Sequence, residues 1–173
     1  MVASTAPFLF WEVKMLSLRK LVMIGAVLVI ALVPALLSAR ETSIAVVVNP
    51  GNSVRSISLA ELRNIFLGTQ QFWKDGTQIV PIVRAPSARE RDVLLRRVVH
   101  MSELQFQHYW SKKPGRAPIV VVSNGMQLAT VSKEAGGIAL VSTGDLHPGV
   151  KVLKVAGRLP GAAAYPLKSS AAR

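Results

Sequence analysis

Residues 79–99 constrain the fold of this chain more than any other stretch. Ile79-Val80-Pro81-Ile82-Val83 is nearly all apolar and rich in β-branched side chains, and Arg84-Ala85-Pro86-Ser87 is polar and turn-like. Residues 88–99 then read as a helix, with Leu94, Leu95, Val98 and Val99 on one side and an Asp92–Arg96 pair on the other. A strand, a tight loop and a helix in that order aim the helix N-terminus, with its unpaired N–H groups, beyond the strand end. Arg84 and Arg89 flank that N-terminus, so an anion there would meet two guanidinium groups and several backbone donors at once. Glu90 opposes this reading. It stands three residues after Ser87, the spacing from which a capping-box side chain occupies the cap N–H. Local chemistry alone favours a self-capped helix with two surface arginines over an anion site.

The same alternation runs through the rest of the chain. Residues 44–48, Ile-Ala-Val-Val-Val, suit a strand covered on both faces, and Asn49-Pro50-Gly51-Asn52 is a turn. Ser58-Leu59-Ala60-Glu61 is a capping box that opens a helix with Leu59, Leu62, Ile65 and Phe66 on one face, and Gly68 ends it. Asp75-Gly76 turns the chain into the strand at residue 79. Ser102 to Gln105 repeats the capping signature, and Phe106, Tyr109 and Trp110 follow at a spacing that favours core over a stacking platform. Residues 119–122 read as another buried strand, and Asn124 with Gln127 opens a third capped helix that ends at Gly136-Gly137. Residues 138–142 and 150–155 are further strands, and the Ala/Pro/Gly/Ser composition from residue 157 reads as a disordered tail. Strands alternating with helices, and apolar on both faces, predict an α/β sandwich around a largely parallel sheet. Ligands of such sheets lie beyond the strand ends, where Ser87-Ala88-Arg89 and Ser123-Asn124-Gly125 open two of the helices.

The apolar excess is concentrated in residues 21–37, preceded by Arg19-Lys20 and followed by Ser38-Ala39-Arg40. That order is expected of a secretory signal cut after Ala39, with an uncleaved N-terminal membrane anchor as the second reading. Both put the following domain outside the cytoplasm. Met15-Leu16-Ser17-Leu18-Arg19-Lys20 would be an ordinary start for such a signal, so translation is expected to begin at Met15; a secreted precursor carrying residues 2–14 would refute this. The sequence has no cysteine, which excludes disulfides and thiolate chemistry. A net charge of +12 points to an acidic partner. The basic residues are scattered rather than gathered in a block with interleaved aromatics, which disfavours nucleic acid and leaves a small anion or an anionic envelope surface.

Catalysis is not expected. His100, His108 and His147 lack metal-ligand spacing, and the carboxylates have local roles in caps and ion pairs. Ser87 with His100 as base would need a nucleophile elbow, and the Gly-x-Ser-x-Gly that makes one is missing. No cofactor or metal is implied.

Three blocks carry a family resemblance: Ile57-Ser58-Leu59-Ala60-Glu61-Leu62, then Ile65-Phe66-Leu67-Gly68, then Trp73-Lys74-Asp75-Gly76. Their order and spacing resemble the phosphate-type periplasmic solute-binding proteins. Residues 80–99 fall where that family carries Arg-x-x-x-Ser-Gly-Thr at a helix start, and Ala135-Gly136-Gly137-Ile138-Ala139-Leu140-Val141 falls on its Pro-Gly-Ala-Ile-Gly-Tyr-Val. The resemblance implies a type 2 periplasmic-binding-protein-like lobe, a three-layer sandwich with a mixed, largely parallel sheet. It implies an oxyanion such as phosphate held by Arg84, Ser87, Ala88 and Arg89, with Ser123, Asn124 and Gly125 opening the neighbouring helix. This sequence departs from the family in four ways: the Arg84–Ser87 spacing is one residue short, Ala88 replaces the glycine, Arg89 replaces the threonine, and Ala139-Leu140 replaces Gly-Tyr.

Full members close two lobes on their ligand, whereas this chain has the length of one lobe with hinge-like strands. A homodimer or a partner protein could supply the other wall. The expected organisation is an N-terminal extension and signal over residues 1–39, a binding domain over 40–156 and a tail over 157–173. The expected function is an exported, periplasmic solute-binding protein for phosphate or a similar oxyanion, serving an ABC transporter. The rival is a scaffold or signalling module of the same fold that contacts a membrane transporter or receptor component and has lost the ligand.

Overall fold

The computed structural model describes residues 43–113 and 115–169. The expected signal and the proposed start at Met15 lie outside the described residues. Among the described residues, no helix is long and apolar enough to cross a membrane.

The sheet has six strands: β1 (Ile44–Val48), β2 (Ser56–Ile57), β3 (Val80–Arg84), β4 (Ile119–Val121), β5 (Gly137–Ser142) and β6 (Lys151–Val155). Their spatial order is β2-β6-β1-β5-β3-β4. β1 pairs antiparallel with both β5 and β6, while β2–β6, β5–β3 and β3–β4 are parallel. All strands except β1 therefore run the same way, and the C-terminal ends of β5, β3 and β4 lie together. The largely parallel mixed sheet expected from the sequence is the one observed.

Among the described residues, four α-helices pack with the sheet: α1 (Leu59–Phe66), α2 (Arg89–Val93), α3 (Glu103–Ser111) and α4 (Asn124–Lys133). The pleat of β1 divides the core between two layers. Ile44, Val46 and Val48 pack with α1, α2 and α3, whereas Ala45 and Val47 pack with Leu128 and Val131 of α4. These five residues of β1 are fully buried, as a continuous apolar run requires of a strand with helices on both faces.

The caps at Ser58 and Ser102 form as full capping boxes, with Glu61 and Gln105 closing them. The helix expected over residues 88–99 begins one residue later. After Val93 it widens into a π-helical segment, Leu94–Val99, which ends at His100 in the left-handed region (φ 56°). The motif residues have packing roles. Gly68 takes φ 68°, and a Cβ there would come within 2.7 Å of the Trp110 ring. Trp73 donates its indole N–H to the Gly136 carbonyl at 3.2 Å. A Cβ on Gly136 would lie 1.7 Å from the Gln78 carbonyl oxygen, so this backbone crossing admits only glycine.

Two expectations are corrected. β4 is an edge strand rather than a buried one: Ile119 and Val120 are exposed and only Val121 reaches the core, since β3 is its one neighbour. Residues 157–169 do not form a disordered tail. Tyr165 and Leu167 are buried, the Tyr165 hydroxyl donates to the Ile44 carbonyl at 2.8 Å, and Ile44 N–H donates to Leu167 O at 2.8 Å. Two large apolar side chains within a low-complexity stretch are enough to dock it on the open end of β1.

Candidate functional site

β3 and β4 pair in register at Arg84↔Val121, and Ala85 N–H donates to Val121 O at 2.9 Å. The loops that follow them, residues 85–88 and 122–123, leave the sheet side by side. The two predicted segments, Ser87-Ala88-Arg89 and Ser123-Asn124-Gly125, are thus at the same end of the sheet as Arg84.

The first loop folds as a turn, with Ala88 N–H donating to Ala85 O at 3.3 Å and Ser87 at φ 70°. This turn moves the helix start on by one residue. Ala88 is the N-cap and makes no side-chain cap bond, Arg89 is the first helical residue, and Glu90 the second. The Ser87–Glu90 capping box expected from the sequence is therefore not formed, because Glu90 falls one position short of the residue that reaches back to the cap. Glu90 is buried, and its Oε2 lies 3.8 Å from Arg84 Nε. Ser87 and Arg89 are exposed and Ala88 is half-buried.

The second helix start differs as well. Ser123, not Asn124, is the cap, and its Oγ accepts from Met126 N–H at 3.1 Å. Asn124 donates its amide to Asp145 Oδ2, and Gly125 is exposed. Gln127, expected as part of the cap, is buried and donates its side-chain amide to the Ile82 carbonyl at 3.2 Å.

Arg84 stands out chemically. Its side chain is 15% exposed, and its Nε and Nη1 are buried without a protein acceptor. The 3.8 Å contact with Glu90 offers Coulomb attraction but is too long for a hydrogen bond. Arg91 Nη1 and Gln127 Oε1, which line the same space, are likewise buried without a partner, whereas buried polar groups are ordinarily paired. The space that Arg84 and Glu90 share with Gln127 and Phe66 is too tight for a water molecule. A separate groove of about 430 Å³, which Arg84 and Glu90 do not line, runs past Ser87, Ala88, Arg91, Asp92, Ser102 and Glu103.

Sequence reasoning missed Arg91 as a site neighbour. It is buried and grips Glu103 with two bonds of 3.0 and 2.8 Å, and its guanidinium lies 4.5 Å from the Phe106 ring centre. These bonds hold the Glu103 carboxyl below the usual glutamate range, against the opposing effect of burial. The signal was available, since Arg91 shares the helical stripe of Leu94, Leu95 and Val98, just as Gln127 shares that of Leu128 and Val131.

No family model and no curated protein matches the sequence. Solved structures do match in fold. An ABC-type phosphate transport receptor from Vibrio cholerae superposes with a TM-score of 0.62 at 21% identity, over 74% of this chain and 54% of the receptor. PstS from Borrelia burgdorferi gives 0.62 at 18% identity, over 75% of this chain and 55% of PstS. A putative phosphate ABC transporter substrate-binding protein from Clostridium perfringens, solved with bound phosphate, gives 0.58 at 19% identity, over 68% of this chain and 46% of its own. The chain thus spans about half the length of the structures it matches. Over that length it shares the α/β fold of the phosphate ABC transporter substrate-binding proteins.

Proposed function

We propose that this chain is an exported, periplasmic solute-binding protein that holds phosphate or a similar oxyanion without acting on it chemically, for delivery to an ABC transporter. The observation that carries the reading is Arg84, a largely buried cation with two unfilled donors at the C-terminal end of β3. Arg84 would supply the charge, Ser87 a hydroxyl, Ala88 and Arg89 their backbone N–H groups, and the Ser123-Asn124-Gly125 segment the adjoining wall. The phosphate-binding structures of the same fold support the ligand class, and another copy or a partner protein would supply a second wall. An oxyanion on one lobe alone stays half in water, where charge-assisted bonds are weak.

A second reading, a scaffold or signalling module of this fold without a ligand, is favoured by the Arg84–Glu90 contact and by the lack of room around it. Thermal shifts with phosphate, sulfate and simple carboxylates separate the two. At about a hundred times its dissociation constant, a specific anion adds roughly 2.7 kcal/mol of stability. The oxyanion reading expects a response to one anion class that disappears in Arg84→Ala; a scaffold responds to none.

A further inference from the structure

We infer that β4 is a self-association edge, at which two copies of this chain pair antiparallel about Val120 and join their sheets into one. Among the described residues β3 is the one neighbour of β4. Their register, Ile82↔Ile119, Val83↔Val120 and Arg84↔Val121, is continuous, and Ala85 N–H donates to Val121 O. Ile119 and Val121 thus turn their backbone groups to β3, while Val120 and Val122 turn theirs outward. Open edges of this kind are ordinarily blunted by a charge, a bulge or a cover. Residues 119–122 are Ile-Val-Val-Val, with no charge and no bulge, and Val120 and Val122 are 58% and 71% exposed. Met126, in the first turn of α4 just beyond the strand, is exposed as well.

A second copy fits this edge by its pattern of donors and by its charge. A two-fold axis at Val120 sets that residue opposite its own equivalent, where each copy gives one outward N–H and accepts at one outward carbonyl. Val122 then faces Pro118 of the second copy. The Val122 N–H meets the Pro118 carbonyl, and proline, which has no N–H, ends the ladder there. One step further, exposed Arg116 comes opposite Asn124, which donates to the exposed carboxylate of Asp145. Among the described residues neither Arg116 nor Asp145 makes an ion pair within one copy, so the two-fold offers each an opposite charge. Against this, each copy carries a charge of +12 and a short strand buries little area, which makes the dimer weak and concentration-dependent. Antiparallel pairing sends the two Arg84 residues to opposite ends of the joined sheet. The second copy therefore leaves each of them uncovered, and a wall for the anion site falls to a partner protein.

Analytical ultracentrifugation of the full chain across a concentration series reads the association. Wild type should pass from monomer to dimer. Val120→Lys replaces two facing valines with two facing like charges and should weaken the dimer on the order of tenfold or more. Leu159→Lys, at a half-exposed leucine beyond β6 on the far side of the sheet, should leave it unchanged. The chain has no cysteine, so introduced thiols report the register without background. Val120→Cys sets two Cα atoms about 5.5 Å apart across the two-fold, within disulfide reach, and should cross-link on mild oxidation. Val122→Cys leaves them roughly 14 Å apart and should not. A wild type that stays monomeric throughout overturns the self-pairing edge, whatever else then covers it. So does a dimer that survives Val120→Lys, or one that Leu159→Lys weakens equally. Should Val120→Lys fail to fold by circular dichroism, the two cysteine variants decide: a Val120→Cys that does not cross-link, or a Val122→Cys that cross-links as readily, overturns the pairing.

Discussion

Leu167→Ala tests whether the C-terminal segment belongs to the folded domain. Leu167 is fully buried in the layer that contains Ile44, Val46 and Tyr165, and its carbonyl accepts from Ile44 N–H. Truncation to alanine removes the transfer free energy of the lost carbons and leaves a cavity that relaxes only in part. Fully buried leucines in such positions lose roughly 2.7 to 5 kcal/mol. Leu167 lies near the end of the chain, where neighbours can close in, which favours about 3 kcal/mol. For a domain of this size each kcal/mol moves the melting temperature by about 4 °C, so Tm should fall by about 12 °C. Urea denaturation followed by circular dichroism gives the free energy directly. Leu159→Ala, at a half-exposed leucine of the same segment, serves as control and should stay within about 0.5 kcal/mol of wild type. A Leu167→Ala stability inside that same margin would refute the docked segment and restore the disordered tail that the composition suggests.

Gly136→Ala forces a Cβ onto the Gln78 carbonyl at the crossing where Trp73 also bonds the Gly136 carbonyl; a loss of at least about 3 kcal/mol is expected in urea melts, and a loss under about 1 kcal/mol would contradict the close crossing. The depressed pKa of Glu103 makes its ion pair with Arg91 pH-dependent. Its contribution is complete above the unfolded value near 4.5 and fades as pH falls through the lower folded value, so stability should drop more steeply below about pH 4.5 in wild type than in Glu103→Gln. Parallel pH curves for the two proteins would refute that role.

The sequence was most informative where local chemistry and burial pointed the same way. Residues 44–48 are apolar at every position, and only the inner strand of a two-faced sheet buries all five. Ser58 and Glu61 stand at capping-box spacing on a helix whose apolar face is unambiguous, and the box forms. Legibility failed where one residue of backbone decides the outcome. The turn at 85–88 shifts the helix start past Ser87, which converts Glu90 from a cap residue into the partner of Arg84. Nothing in the spacing of Ser87 and Glu90 reveals that shift, because it comes from Ser87 taking a left-handed conformation. Strand order escaped for another reason. Residues 119–121 read as interior by composition, and only the topology makes them an edge. The candidate site was legible only as a neighbourhood: Arg84, the loop through Ser87 and the start of α4 lie at the same end of adjacent parallel strands. What stayed hidden was its electrostatics, since a carboxylate in sequence proximity can cap, repel or neutralise.

Ser43, just before β1, forms an antiparallel bridge with Lys168, and Tyr165 and Leu167 fasten that closure from within. The first and last stretches of the packed domain are consequently next-door neighbours, and its connectivity is that of a ring cut at a single point. A short tether between them could carry the backbone across the cut. A new opening could then be made in the exposed turn around Gly76, yielding a circular permutant that retains every strand pairing of the sheet.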